Sequence, residues 1–418
     1  MSLHDDMVLM GDQAVAASRA LARLSSRRKN LILEAMAEEL NARREAIKAA
    51  NARDMEAGRQ AGMSPALLDR LLLSDARIDS MIKGLRAVIG LKDPVGTKIS
   101  RWIRPNGLVI QKVRTPIGVI GIIYESRPNV TADAASLCIK TSNAVILRGG
   151  KEAMQSNLAI AEAMQAGGAR KDLPEHSIQL VATTDRDAVR ELVQLEGRVD
   201  LVMPRGGESL IRAVVEQARV PVIKHFKGVC HVYVDESANL DMALKIVENA
   251  KCQRPGVCNA IEKVLVHEKV ATAFLPKMAD LLTAKKVELR GDAAARAIVP
   301  SMKEATEEDW YAEYLDLILG VRVVSSVQAA IEHITKYGSH HSDSIIAEDK
   351  KTQDLFTEEV DSAAVYVNAS TRFTDGSEFG LGAEIGISTD KLHARGPMGL
   401  EELTSYKYVV LGTGQVRE

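Results

Sequence analysis

The sequence predicts an α/β protein in which helices alternate with the strands of parallel, doubly wound sheets. Short apolar runs rich in Val and Ile, such as residues 117–124, recur along the chain, and each precedes a segment with helical spacing. Hydrophobic residues make up 46% of the chain and aromatic residues only 4%. This composition favours helices packed on an aliphatic sheet over an all-β sandwich. The length of 418 residues suits two large domains.

The elements of the first half follow in order from the N-terminus. Residues 12–60 and 65–89 have the Ala and Leu spacing of helices. Residues 97–103 and 108–113 predict a β-hairpin, because Asn106-Gly107 between them favours a tight turn with positive φ. A run of β-α units then predicts strands at 117–124, 144–147, 178–181 and 199–203, and helices at 130–140 and 152–166.

A second β-α series begins near Cys230. It predicts strands at 231–234, 262–266, 317–324, 344–346 and 364–367, and helices at 241–250 and 270–282. We therefore place a domain boundary near residue 228, and we expect the last strand, 406–411, to pair outside the main body.

The charge and cysteine content narrow the class of protein. The net charge is −2, with basic and acidic residues interspersed, so nucleic acid is an unfavourable partner. The first ten residues have no apolar signal core, and no apolar run reaches the roughly 18 residues of a membrane span. The chain has four cysteines and no CxxC pair, which indicates a reducing compartment. We expect a cytoplasmic protein.

Two predicted strand-to-helix turns contain paired glycines. They are Arg148-Gly149-Gly150-Lys151 and Pro204-Arg205-Gly206-Gly207-Glu208. Such a turn directs backbone N–H groups and the positive end of the helix dipole towards an anion. Neither turn matches GxGxxG, so ordinary tight turns remain an alternative. Arg148 and Lys151 lie where NAD-binding sheets often carry an acidic residue that binds the ribose hydroxyls. Cations at this place would suit the 2′-phosphate of NADPH, so the turn predicts NADPH. The alternative is that both are solvated surface cations.

Cys258 is the candidate nucleophile. Pro255-Gly256 forces a turn, which places Cys258 between a predicted helix and the next strand. A reactive thiolate needs exposure and a positive setting, and Arg254 and Lys251 are the nearby cations. Structural roles suit the other cysteines, which are Cys138, Cys230 and Cys252.

Asn129 is a second polar candidate, because it follows the strand that ends near residue 124. An Asn side chain at the end of a strand can donate a hydrogen bond to a developing oxyanion. The alternative, which the residue by itself favours, is that Asn129 caps the next helix.

These segments together resemble the aldehyde dehydrogenase superfamily, and the resemblance covers nearly the whole chain. It is carried by TPIGVIGIIYESRPNVTADAASLCIKTSNAVILRGGKEA, VDLVMPRGGESLI, QRPGVCNAIEKVLVH, AAIEHITKYGSHHSDSI and VYVNASTRFTDGSEFGLGAEIGIST. More closely, the chain looks like the group that reduces L-glutamyl 5-phosphate to L-glutamate 5-semialdehyde with NADPH, through a cysteine thioester, in proline biosynthesis.

The resemblance implies a role for each part of the chain. Cys258 would be the nucleophile, Asn129 the oxyanion-hole donor, and the two glycine turns the lining of the cofactor site. Residues 1–96 and 114–228 would bind NADPH, and residues 229–385 would form the catalytic domain. Residues 97–113 and 403–418 would form a protruding oligomerisation element in a homodimer or homotetramer. Association with glutamate 5-kinase, which makes the acyl phosphate, stays open.

The chain departs from the hydrolytic aldehyde dehydrogenases at one segment. Those enzymes carry a water-activating Glu in Glu-Leu-Gly-Gly-Lys, whereas residues 225–230 here read HFKGVC and contain no carboxylate. The missing base suits an enzyme in which the acyl group of the thioester reacts with hydride or phosphate instead of water.

The implied substrate is an anion, so cations should contact it. We expect Arg372 to bind the α-carboxylate, and Lys224, His225 and Lys227 to meet the phosphate; the alternative for each is a surface cation. No residues have the spacing of a metal-ligand cluster, and the adjacent His340-His341 is interpreted as loop. We therefore expect no metal.

Three alternative functions remain. The first is an acylating dehydrogenase that uses a coenzyme A thioester at the same cysteine. The second is a zinc-dependent alcohol-to-acid dehydrogenase such as histidinol dehydrogenase, which stoichiometric zinc would reveal. The third is a non-enzymatic nucleotide-binding protein, for which replacing Cys258 would have no effect on function.

Overall fold

The computed structural model describes residues 2–417 and divides the chain into two compact units. The first unit runs to Lys224 and includes Gly380–Gly386 and the residues from Met398 onward. The second consists of His225–Phe379 and Ile387–Pro397. The break after Lys224 lies a few residues before the predicted boundary near residue 228, but Gly380–Gly386 groups with the first unit, whereas residues up to 385 were predicted in the catalytic domain. The cofactor and catalytic roles of the two ranges stay predictions. The terminal residues Met1 and Glu418 of the predicted ranges lie outside the described residues.

The N-terminal part of the first unit is helical, as predicted. Its helices are α1 Leu3–Leu21, α2 Ser26–Ala42, α3 Arg44–Gln60, α4 Pro65–Leu71 and α5 Asp75–Gly90. Serine side chains fix several of the starts, because each accepts a hydrogen bond from a backbone N–H of the first turn. Ser25, Ser64 and Ser74 cap α2, α4 and α5 in this way. Of the helices between residues 2 and 417, none has the length and apolar character that a membrane crossing needs.

A three-stranded antiparallel sheet follows, and it confirms the predicted hairpin. Its strands are β1 Lys98–Ile103 and β2 Val109–Pro116, joined by the C-terminal strand described below. The parallel sheet of the first unit contains β3 Val119–Tyr124, β4 Ala144–Gly149, β5 Ile178–Leu180 and β6 Leu201–Arg205. The intervening helices are α6 Asn129–Lys140, α7 Met154–Ala169, α8 Asp187–Val193 and α9 Glu208–Gln217.

The order of the parallel sheet is β5-β4-β3-β6. β3 comes first in the chain, β4 and β5 follow on one side of it, and β6 pairs with its other side. Every residue of β3 and β4 is buried, as expected for strands covered by helices on both faces. In a doubly wound sheet, ligands bind beyond the carboxyl ends of the strands where the order reverses. Here that position lies between β3 and β6.

The second unit is built on a seven-stranded parallel sheet in the order β10-β9-β11-β8-β7-β12-β13. Its strands are β7 Cys230–Val234, β8 Ile261–His267, β9 Glu288–Gly291, β10 Lys303–Glu304, β11 Ile318–Val324, β12 Ser342–Ile346 and β13 Ala364–Val367. Its helices are α10 Leu240–Cys252, α11 Glu268–Ala284, α12 Ala293–Ile298, α13 Glu307–Tyr311, α14 Val327–Tyr337 and α15 Lys350–Glu359. Two apolar clusters pack on this sheet, one containing Phe274 and the other Phe356. Two short antiparallel strands, β14 Ile387–Ser388 and β15 Gly396–Pro397, belong to the same unit.

The last strand, β16 Thr404–Leu411, pairs with β2 along its whole length and completes the three-stranded sheet. This sheet leaves large apolar side chains exposed, with Ile103 60% and Tyr408 55% accessible. The predicted C-terminal strand is therefore confirmed. Its proposed contact with a partner subunit stays a prediction.

Candidate active site

Cys258 lies in the turn between α10 and β8, where the Pro-Gly pair predicted it. The next residue, Asn259, anchors this turn to the segment that follows β13. Its side-chain N–H donates to the Thr374 carbonyl at 2.9 Å, and its own carbonyl accepts from the Thr371 hydroxyl at 2.6 Å. The half-buried thiol of Cys258 is therefore presented by a backbone with little freedom to move.

A buried ion pair closes the base of this turn. Lys251, at the end of α10, lies 2.9 Å from a carboxylate oxygen of Glu262 in β8, and both side chains are fully buried. The Lys251 ammonium also donates to the Ile261 carbonyl at 3.1 Å. The expectation that Lys251 gives Cys258 a positive setting was wrong, because its charge is compensated inside the core.

We expect removal of one partner of this pair to destabilise the second unit strongly. Glu262→Gln leaves the Lys251 ammonium buried without its counter-charge, which costs about 3–5 kcal/mol of unfolding free energy. The double replacement Lys251→Met with Glu262→Leu removes both charges, so it should lower the unfolding free energy much less than Glu262→Gln does. Urea unfolding of the three proteins checks this, and equal losses in the single and double variants would contradict it.

The loop before β7 packs directly on the Cys258 turn. A Cβ atom added to Gly228 would lie well under 3.0 Å from the Cys258 carbonyl oxygen, so only glycine fits there. The Gly228 N–H donates to a carboxylate oxygen of Glu313 at 2.8 Å, and the next N–H, of Val229, donates to the Ser339 hydroxyl at 2.8 Å. These two bonds fix the loop, and the close approach of Gly228 to the Cys258 backbone leaves no space between the loop and the turn.

We expect Gly228→Ala to impair catalysis more than folding. Accommodating the methyl group must displace the Cys258 backbone, and a shift of about 1 Å at a reacting group can cost roughly 100-fold in rate. The expected loss of stability is about 1–3 kcal/mol. The matched control is Gly256→Ala, whose Cβ would have its nearest neighbour, the Leu315 carbonyl oxygen, at 3.6 Å. Rates and melting temperatures of both variants check the prediction, and similar rates in the two would contradict it.

Two histidines stand beside the thiol. One nitrogen of His225, one of His341 and the sulfur of Cys258 all lie within 4.8 Å of one another. The Nδ1 of His225 lies 2.8 Å from the Ile387 carbonyl oxygen, and because a carbonyl only accepts, Nδ1 carries the proton. The Nε2 of a neutral His225 is then the nitrogen with a free lone pair. His341 is fully buried, with Nδ1 2.9 Å from the Ser342 hydroxyl, and its ring meets that of His225 edge-on at 5.5 Å.

This cluster is not evident from the sequence. There, His340-His341 indicates a loop, His225 is expected to meet the phosphate, and no residues have metal-ligand spacing. The signal lies in the topology, because His225, Cys258 and His341 precede the adjacent strands β7, β8 and β12. Residues before neighbouring parallel strands meet at the same edge of a sheet, but the strand order was needed to see that these three strands are neighbours.

Arg372 lies next to the Cys258 turn. Its guanidinium donates to the Gln253 side chain at 2.9 Å and also to the side-chain oxygen of Asn259. Burial, and after it the neighbouring Arg254, lower the pKa of Arg372. Arg372 also interacts electrostatically with Cys258, and a cation there suits an anionic ligand, but the role of Arg372 in binding a carboxylate stays a prediction. Lys224 and Lys227 are half-buried, and their predicted contact with phosphate is untested.

Asn129 opens α6 in the first unit without capping it. The cap position is Pro128, and no side-chain hydrogen bond closes the helix start. The Asn129 side-chain N–H instead donates to a carboxylate oxygen of Asp133 at 2.8 Å. Burial raises the pKa of Asp133 to about 6, although the hydrogen bond from Asn129 and the charge of Arg205 oppose the rise. The capping alternative is therefore wrong.

The two cations predicted to favour NADPH, in the turn after β4, differ in their exposure to solvent. Arg148 is only 6% exposed, and it donates to the carbonyls of Gly149 and, at 3.1 Å, Asp185. It is not a solvated surface cation, whereas Lys151 is exposed. Gly149 admits no side chain, because a Cβ would lie well under 3.0 Å from the Asn157 amide. Gly150 follows it and is also buried.

The turn after β6 lies where the strand order of the first unit reverses. Pro204 and Arg205 end the strand, and Glu208 begins α9 without a side-chain cap. The exposed Gly207 donates its N–H to a carboxylate oxygen of Glu125 at 3.1 Å. A Cβ at Gly206 would lie under 3.0 Å from the same carboxylate. The turn thus already holds an anionic group, which a phosphate would have to displace, and its role in phosphate binding stays a prediction.

Comparison with known proteins confirms the resemblance and the fold class. Residues 4–317 match the model of the Aldehyde dehydrogenase family. A gamma-glutamyl phosphate reductase of Moorella thermoacetica is 58% identical over 418 residues, with 100% of both sequences covered. The crystal structure of a gamma-glutamyl phosphate reductase from Thermotoga maritima has a TM-score of 0.97 at 50% identity, covering 99% of this chain and 100% of that chain. An engineered glycolyl-CoA reductase with bound NADP+ shares the fold alone, with a TM-score of 0.68 at 16% identity and 97% and 96% of the two chains covered. The chain belongs to the aldehyde dehydrogenase family of oxidoreductases, in the group of the gamma-glutamyl phosphate reductases.

Proposed function

We propose that this chain reduces L-glutamyl 5-phosphate to L-glutamate 5-semialdehyde with NADPH and releases phosphate, a step of proline biosynthesis. The observation that carries the proposal is the half-buried thiol of Cys258, held in a rigid turn beside two histidines and interacting electrostatically with Arg372. Full-length identity of 58% to a gamma-glutamyl phosphate reductase supports the choice of substrate.

The covalent step uses the Cys258 thiolate. The sulfur attacks the acyl carbon, the bond from that carbon to the phosphate oxygen breaks, and phosphate leaves with the bonding electrons, so that a thioester remains. The thiol proton passes to one of the two imidazoles within 4.8 Å of the sulfur or to a water between them. Asn129 and the Cys258 backbone N–H are the proposed donors to the oxyanion. After reduction, the carbon–sulfur bond breaks and frees the aldehyde and the thiol.

The first unit has the features that a dinucleotide needs. Aldehyde dehydrogenases use a nicotinamide cofactor, which when bound supplies the hydride that reduces the thioester. The reversal of strand order between β3 and β6 provides the crevice, and the side-chain-free Gly206 and Gly207 allow close approach of a pyrophosphate. Arg148 and Lys151 are the cations proposed to favour NADPH over NADH, and Glu125 must turn away from Gly207 to admit the phosphate.

We expect Lys151→Ala to weaken the use of NADPH without changing the use of NADH. The exposed ammonium would pair with the 2′-phosphate that only NADPH carries, and a hydrogen bond to a charged group is worth about 1.5–3 kcal/mol, or roughly 10- to 150-fold in KM. The control is Lys351→Ala, an exposed lysine of α15 in the other unit. Steady-state kinetics with both cofactors check this. A parallel loss with NADPH and NADH would show that Lys151 does not recognise the 2′-phosphate.

The proposed function is tested in the reverse direction, which avoids the unstable acyl phosphate. Purified protein is mixed with L-glutamate 5-semialdehyde, NADP+ and inorganic phosphate, and the absorbance of the reduced cofactor is followed. Reduction that depends on phosphate supports the proposal. Turnover with coenzyme A instead of phosphate would keep the cysteine chemistry and overturn the substrate, and no turnover with either acceptor would favour a nucleotide-binding protein. Sedimentation of the same sample tests the proposed homodimer or homotetramer.

A further inference from the structure

The cluster beside Cys258 has the composition of a site for a soft metal ion. Thiolate and imidazole are the ligands that zinc prefers in proteins, and the cluster offers one sulfur and two ring nitrogens. In a tetrahedral zinc site, neighbouring ligand atoms are about 3.5 Å apart, because Zn–S is about 2.3 Å and Zn–N about 2.0 Å. The three atoms already lie within 4.8 Å of one another, so small side-chain rotations would close the site.

The surroundings of His225 match those of metal-bound histidines. A ligating imidazole usually donates its other N–H to a backbone carbonyl or carboxylate, which fixes the ring and the tautomer. The Nδ1 of His225 makes this bond to the Ile387 carbonyl at 2.8 Å, which directs the lone pair of Nε2 elsewhere. His341 is fully buried and so needs no further ordering to act as a ligand.

The cluster supplies three ligands and leaves a fourth position open. The nearby Cys230 sulfur is 3.2 Å from the Cys258 carbonyl oxygen, to which it donates, and 3.8 Å from Nδ1 of His341, so this buried thiol borders the cluster without being counted among its three ligands. Cys258 is half-buried, which gives an ion a way in from solvent. Arg372 interacts electrostatically with Cys258 and opposes a cation, so the site would bind reversibly rather than retain a permanent metal.

We propose that Cys258, His225 and His341 bind a thiophilic divalent cation of the zinc class, and that the bound ion blocks the enzyme. Binding releases the thiol proton and forms a metal–sulfur bond, so the sulfur lone pair is no longer available for attack on an acyl carbon. The blocking rests on the proposed function of Cys258 as nucleophile, whereas the binding does not. A catalytic zinc predicts loss of activity on chelation, whereas this site predicts that chelation preserves or raises it.

Metal binding is tested directly with the full chain. Zinc affinity is measured by competition with a chromophoric chelator, and Co²⁺ is added separately to look for the sulfur-to-cobalt charge-transfer absorption. We expect one site per chain, with Kd raised at least about tenfold in Cys258→Ser and in His341→Ala. The matched control is His340→Ala, because His340 is adjacent in sequence but is exposed and contacts the Asp361 carbonyl at 2.7 Å. Cys252→Ser is the control for the cobalt–sulfur absorption.

Each result decides the inference. It stands if zinc inhibits the reductase with a constant that matches the measured Kd, if chelation restores the rate, and if only the three cluster variants lose affinity. Unchanged affinity in Cys258→Ser or His341→Ala would overturn it, as would binding without inhibition. Circular dichroism checks that each variant is folded. If His341→Ala does not fold, His225→Ala tests the same ligand set. If the chain shows phosphate-dependent turnover but does not bind zinc, the metal site is overturned and the proposed function stands. If the chain binds zinc but shows no turnover, only the proposed function is overturned.

Discussion

Cys258→Ala should abolish the reductase activity while the protein stays folded. The variant lacks the atom that forms the thioester, and loss of a covalent nucleophile costs about 10⁴-fold or more in kcat. The side chain is small and half-buried, and the turn is fixed by Asn259 and not by the thiol, so stability should change by less than about 1 kcal/mol. Rates in the reverse assay and a thermal melt measure the two effects.

The matched control for Cys258 is Cys252→Ala. Cys252 is also half-buried, and it ends α10 six positions earlier, where burial raises the pKa of its thiol. Its replacement should leave the rate within about twofold, because it belongs to the helix and not to the turn. Retention of activity in Cys258→Ala would contradict the covalent mechanism, even if cofactor and substrate still bind.

The elements of the fold were predictable because their signals are local. Apolar runs such as the one at β3, and the Asn-Gly turn between β1 and β2, depend only on neighbouring residues. The position of Cys258 was predictable for the same reason, since Pro255-Gly256 must break the helix before it. These predictions required no knowledge of how the strands are ordered.

The site required contacts between distant residues, and here the sequence was less informative. His341 lies 83 positions after Cys258, and only the adjacency of β12, β7 and β8 brings their preceding loops to one edge. Lys251 was misjudged because its counter-charge, Glu262, lies across the turn on β8. Asn129 suggested a cap because its side chain is suited to one, but Asp133, one helical turn later, accepts its N–H instead.

Asn129→Ala should lower kcat by about 10²–10³-fold, the usual cost of removing one donor to an oxyanion. The substrate KM should change little, because an oxyanion forms only in the transition state. Asn129 has a second N–H besides the one that Asp133 accepts, so the hydrogen bond within α6 orients the amide without exhausting its donors. Equal losses in kcat and in substrate affinity would contradict a role confined to the oxyanion.

Asp133 provides the means to separate oxyanion stabilisation from a merely structural role of Asn129. The pKa of Asp133 is raised to about 6 in the folded protein, so the folded state binds this proton more tightly than the unfolded chain. Its ionisation therefore costs stability as the pH rises through about 6, and Asp133→Asn should be more stable than the parent by about 1–3 kcal/mol at pH 7 but not at pH 4. Asn129→Ala removes a hydrogen bond that favours the carboxylate and should increase that cost.

If Asn129 acts only by supporting Asp133, adding Asp133→Asn to Asn129→Ala should restore both stability and rate. If Asn129 donates to the oxyanion, the double variant should regain stability and remain slow.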